Sequence, residues 1–135
     1  MSMKLQCAML FLFFMSYLYS EQSETLFDPI NSYLKRYRQD IEEKDITVKN
    51  GVIYLELDGR RTNLNSLFLL GFYSVGRTVG RQLQEQSFPL REVQIIIYYE
   101  MKDAQQIAVT ASIESVLALS QGRINSDQFF NEIHY

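Results

Sequence analysis

The chain has 135 residues, 13 basic and 16 acidic side chains, and a formal net charge of −3. That length bounds it to one ordinary domain, and the acidic balance argues against bulk attraction to nucleic acid. A single cysteine, Cys7, and a single histidine, the penultimate His134, supply neither an intrachain disulfide nor a His-based acid/base pair or His-rich metal site.

Lys4 precedes an uncharged apolar run of 13 residues, CAMLFLFFMSYLY, over residues 7–19. A short positive start followed by an apolar run below the ~18 residues of a spanning helix predicts a secretory signal over residues 1–20. Leu18 stands where a small residue is preferred before a cleavage site, so the alternative is an uncleaved anchor, the one arrangement that makes a membrane a partner. Cleavage after Ser20 removes Lys4 and Cys7 and leaves residues 21–135 as one cysteine-free domain with a net charge of −4. An exported domain without cysteine fits a periplasmic or extracellular place in a bacterial envelope.

Asp28-Pro29 predicts a helix start, aspartate as cap and proline at the first helical position, with Ile30, Tyr33, Leu34, Tyr37 and Ile41 following at helical spacing. Lys35, Arg36 and Arg38 fall on its wet face. In DITVKNGVIYLELDG, Asn50-Gly51 supplies the two positive-φ residues of a type I′ turn between alternating strands. A two-residue loop pairs Lys49 with Val52, Val48 with Ile53 and Ile46 with Leu55, and the apolar residues meet on one face. The stretch ITVKNGVIYLEL, 12 residues of the 135, is similar to strands of the small envelope modules called BON domains. The helix that follows departs from the pattern of those domains, and no family is assigned from it.

A helix is expected over residues 64–86, ended by Ser87-Phe88-Pro89, although GFYSVGRTVGRQ within it comes one substitution from a phosphate-binding P-loop (Gly71, Gly76, Arg77 for lysine, Thr78). The helix accounts for more. Leu64, Phe68, Phe72, Val75, Val79 and Leu83 fall on one arc at ~100° per residue, with Arg77, Arg81 and Gln84 opposite. The P-loop needs an irregular backbone from Gly71 to Gly76 and tolerates Phe72 and Tyr73 poorly. Residues 92–101 form a strand with two rather apolar faces, and so a central one. Residues 106–113 form a fourth strand, ESVLALSQG is a short helix stopped by Gly122, and Ser126 caps a last helix over DQFFNEI. The expected fold is α+β: a two-layer sandwich, helices on a four-stranded, mostly antiparallel sheet, two hairpins around a long central helix, in the order α-β-β-α-β-β-α-α.

Glycine costs about 1 kcal/mol against alanine inside a helix, so Gly76 and Gly80 need a reason. Four residues apart, they continue the stripe of Leu69 and Tyr73 and mark a close backbone approach, by another helix or the sheet of the same domain or by a partner. Leu69 and Leu70 make the first half of that helix apolar nearly all round, so it must be covered on more than one side. Tyr54, Ile96 and Tyr98 share the strand faces opposite to the expected core. They form an apolar, aromatic docking surface if helices cover one sheet face, and core if helices cover both. Arg60, Arg61, Arg77 and Arg81 are a candidate anion patch, although roughly 20 Å of helix separates the two pairs.

Catalytic and cofactor signals are thin. The acids Asp40, Glu42, Glu43 and Asp45 lack the ordered oxygen spacing of a calcium loop, and Glu56, Asp58 and Glu100 would need to meet in a cleft to act as an acid/base pair. The sequence therefore points to an exported, non-enzymatic protein without metal or cofactor. It would act through a protein partner or self-association, as an accessory or assembly factor of a bacterial envelope or secretion system. The alternative is a carrier of a small apolar ligand held between the central helix and the sheet.

Overall fold

The structure, a computed structural model, describes residues 26–82, 90–100 and 103–133. The expected signal, the end of the long helix with Ser87-Phe88-Pro89, and His134 lie outside the described residues. Residues 26–35 form α1, followed by β1 (Ile46–Lys49), β2 (Val52–Gly59), α2 (Leu64–Gln82), β3 (Glu92–Glu100), β4 (Ala104–Ser112), α3 (Ile113–Ser120) and α4 (Ser126–Glu132). The element order is the expected α-β-β-α-β-β-α-α, and the fold is α+β.

Helix α1 is already under way at Leu26, two residues before Asp28, because Leu26, Ile30 and Leu34 form one buried stripe at four-residue spacing. It ends earlier than the apolar spacing through Ile41 suggests. Gln39 N–H donates to Leu34 carbonyl and Arg38 N–H to Lys35 carbonyl, with Arg38 itself left-handed at φ 62°. This pair of bonds closes the last carbonyls of a helix, and a glycine normally occupies the left-handed place. Helix α3 closes in the same way on Gly122, φ 75°, with Arg123 N–H donating to Ala118 carbonyl. The cap of α4 is Asn125, one residue before Ser126. Its side-chain oxygen accepts from Gln128 N–H at 2.8 Å while Gln128 Oε1 accepts from Asn125 N–H at 2.9 Å.

The four strands form one sheet in the order β1-β2-β3-β4. Asn50 (φ 53°) and Gly51 (φ 78°) make the tight turn, and Lys49 faces Val52, Val48 faces Ile53 and Ile46 faces Leu55. β3 and β4 form the second antiparallel hairpin, while β2 and β3 run parallel, joined by the crossover through α2. Across the sheet, Ile46, Leu55, Ile95 and Val109 line up in one row, and Val48, Ile53, Val93 and Ala111 in the next. These strand residues, with Leu57 and Ile97, belong to one buried cluster. All four helices complete it, through Leu26, Ile30 and Leu34, then Leu67, Phe68, Phe72, Val75 and Val79, then Val116 and Leu119, then Phe129. Because the strand members of that cluster share one face, no helix among the described residues covers the other.

The segment GFYSVGRTVGRQ is continuous α-helix. Its two buried polar residues answer to their own backbone: Ser74 hydroxyl donates to Gly71 carbonyl at 2.8 Å and Thr78 hydroxyl to Ser74 carbonyl at 2.9 Å. Such bonds to the preceding turn are how a hydroxyl enters a core without an unsatisfied group. The strand before it ends at Gly59, so the irregular phosphate loop that a nucleotide site requires is not formed here.

Candidate functional site

Helices α1 and α2 meet along a seam on the outer surface of the helix layer. Tyr33 of α1 stacks on Tyr73 of α2, ring centroids 5.7 Å apart, and on Tyr37 just past the end of α1 at 5.4 Å. The Arg77 guanidinium lies over the Tyr33 ring, 5.3 Å from its centroid, close enough for a cation–π contact. Tyr33, Tyr37, Leu69, Leu70 and Tyr73 line an open groove of about 430 Å³, flanked by Gln39, Asn63 and Ser66. Tyr37 is 55 % exposed, and Leu69, Leu70 and Tyr73 are half-buried. One turn further along the seam, Arg36, Arg77 and Arg81 converge with Pro29, Ser32 and Thr78 on a cleft of about 160 Å³.

Burial pushes the Tyr33 phenol up to about 12, helped by its hydrogen bond to Tyr37 and by the neighbouring Tyr37 and Tyr73, with the Arg77 charge pulling the other way. An unfolded tyrosine releases its proton near 10, so the contribution of a neutral Tyr33 to stability is intact below pH 10 and is lost as the pH rises through 12. Tyr33→Phe is expected to flatten the fall in the unfolding midpoint between those two values. A spectrophotometric titration in which every phenol of the folded protein ionises together near pH 10 would contradict this.

Leu69, Leu70 and Tyr73 sit together in the groove, joined by Tyr33 and Tyr37. Gly76 faces α3 of the same chain. A Cβ there would come within 2.7 Å of Val116 carbonyl oxygen and 2.9 Å of Ser120 Cβ, so α3 occupies the place that the glycine opens. Gly80 is exposed, and a Cβ there would meet Leu117 Cδ2 of α3 at 3.6 Å. Arg77 and Arg81 line the cationic cleft with Arg36, whereas Arg60 and Arg61 stand exposed before α2 and line no part of it.

Tyr54, Ile96 and Tyr98 lie on the sheet face without helices, where Tyr98 is 39 % exposed and its hydroxyl donates to Glu56 Oε1 at 3.2 Å. Burial and the neighbouring Glu56 carboxylate hold the Tyr98 phenol above its ordinary value. Gln94 Nε2 donates to Thr110 Oγ1 at 3.3 Å on the same face, which is therefore mixed in character and not a continuous apolar sheet. Glu56 and Asp58 share a cleft of about 340 Å³ with Asp40, Glu42, Asp45 and Tyr98. Glu56 faces Ile96 in the register, four residues from Glu100, so roughly 13 Å of strand separates the two carboxylates. Among the described residues no three acids converge as a metal cluster would.

Arg36, Tyr33 and Tyr37 were available to sequence reading as YLKRYR, but only as members of a helix face. What joins them to Leu69, Tyr73, Arg77 and Arg81 is the packing of α1 against α2, which no local pattern encodes. Compared with protein-family models, curated proteins and solved structures, the chain matches none.

Proposed function

We propose that the protein is an exported, non-enzymatic interaction module, an accessory or assembly factor of a bacterial envelope or secretion system, that docks a protein partner on the α1/α2 seam. The observation that carries this reading is the groove of Tyr33, Tyr37, Leu69, Leu70 and Tyr73, which gathers five large side chains on the outside of the helix layer. Tyrosine is rigid and amphipathic, apolar along its ring and polar at its tip, and it is enriched where protein surfaces meet. The signal-like run over residues 7–19 supports export. The carrier alternative is less well supported, because Phe72, Val75 and Val79 of α2 and Ile95 and Ile97 of the sheet already have no exposed surface between them.

A photo-crosslinking amino acid at position 37, introduced into the full chain in its host, is expected to give one discrete adduct to another protein. Leu70→Asp is expected to lower its yield several-fold under conditions where circular dichroism shows the variant folded. The same amino acid at exposed Lys49, on the edge strand, serves as the control. Adducts from position 37 no more discrete than those from position 49 would overturn the proposal.

A further inference from the structure

The cationic end of the seam, which shares Tyr33 with the groove, supports a second kind of recognition. Arg36 follows α1, and Arg77 and Arg81 are one turn apart on α2, so three guanidinium groups from two elements line one cleft with no carboxylate among its lining residues. The ion pair described for this chain is Lys44 with Glu42, and among the described residues none of the three arginines has an acidic partner within 4.0 Å. Among the described residues three like charges stand together without one, an arrangement that repels itself and favours the entry of an anion.

The cleft is built as well as charged. Arg77 is half-buried and its guanidinium rests over Tyr33, which itself packs between Tyr37 and Tyr73, so its side chain is restrained before a ligand arrives. The Thr78 proton is committed to Ser74 carbonyl, which makes Thr78 a wall, while Ser32 brings a hydroxyl from the α1 side. The cleft, about 160 Å³, has room for one small oxyanion head. Stoichiometry separates the classes of anion. One arginine fork saturates a carboxylate, whereas a phosphoryl group carries roughly two charges and three acceptor oxygens and has use for three.

We propose that Arg36, Arg77 and Arg81, with Ser32, form a binding site for a single phosphoryl group, free or as a lipid headgroup. Calorimetric titration of the full chain with inorganic phosphate, and flotation with vesicles of phosphatidylcholine containing phosphatidic acid against phosphatidylcholine alone, test the two sources. Binding in either arm, weakened at least tenfold by Arg81→Gln and by Arg36→Gln but unchanged by Arg60→Gln or Arg61→Gln, is the expected result. Arg36 and Arg81 are exposed, so both variants are expected to fold, which circular dichroism confirms before titration. Phosphate binding assigns the free anion, and binding to phosphatidic acid vesicles alone assigns the headgroup. No binding in either arm overturns the proposal. So does an equal loss in the Arg61→Gln variant, which would mean bulk charge, or capture of a glutamate-rich peptide with phosphate ignored.

Discussion

Replacing Phe72 by alanine is expected to destabilise the protein by about 3–5 kcal/mol, the range for removing a large aromatic side chain from a filled core. Phe72 has no exposed surface and sits in the middle of α2, where its ring meets Phe129 of α4 edge-on at 5.0 Å. Against a typical total of about 5–15 kcal/mol, that loss takes a large part of the stability. Urea unfolding followed by circular dichroism should show a lower midpoint at an unchanged slope. Phe129→Ala should cost a similar amount. The double variant should fall short of additivity by about 0.5–1.5 kcal/mol, the worth of the edge-to-face contact itself. A loss below 1 kcal/mol on Phe72→Ala would mean that α4 and the sheet do not close on α2 as described.

Two glycines four residues apart on α2 should respond in opposite directions to the same substitution. Alanine improves intrinsic helix propensity by about 1 kcal/mol at either place. At Gly80 the new methyl meets only Leu117 Cδ2 at 3.6 Å and Gln121 Nε2 at 3.9 Å, ordinary contacts, so Gly80→Ala is expected to stabilise by about 0.5–1 kcal/mol. At Gly76 the methyl would press on Val116 carbonyl oxygen at 2.7 Å, a backbone atom that moves only if α3 moves. Overpacking of this kind costs typically 1–3 kcal/mol, so Gly76→Ala is expected to lose about 1–2 kcal/mol despite its gain in propensity. Thermal unfolding of the two single variants decides it. Equal and favourable shifts would place α3 elsewhere.

These positions also show what the amino-acid sequence contains and what it withholds. Asn50-Gly51 dictates the register of the first hairpin because the turn leaves no freedom, and Ile46, Val48, Ile53 and Leu55 agree with it by alternation. The helical arc from Leu64 to Val79 outweighs the resemblance to a phosphate loop because a periodic apolar face must be buried. The parallel alignment of β2 with β3 has no local signal, since it is set by how α2 crosses the sheet. The start of α1 is misplaced by local rules for the same reason. Asp28-Pro29 carries a strong cap signature, but Leu26 has a core to enter, and tertiary burial overrides the cap. Gly76 announces a close approach without naming the helix that makes it, whereas Gly80, which carries the same signal in the sequence, meets only side-chain tips at ordinary distance. The candidate site is the least legible part: Arg36 and Arg81 are unremarkable surface residues until α1 lies beside α2.

The crossover through α2 also bears on how the chain assembles. Every residue of β2 that pairs with β3 meets a partner forty positions further along, whereas each hairpin closes locally. Loop closure over such a span is entropically unfavourable and returns nothing until the contacts it brings together are made. Phe68 and Phe72 have no complete surface to pack on before both hairpins are side by side, and the hairpins have nothing to hold them side by side before α2 lies across them. Joining the two halves of the sheet and docking the central helix are thus a single step, and the rate of that step is expected to set the folding rate of the domain.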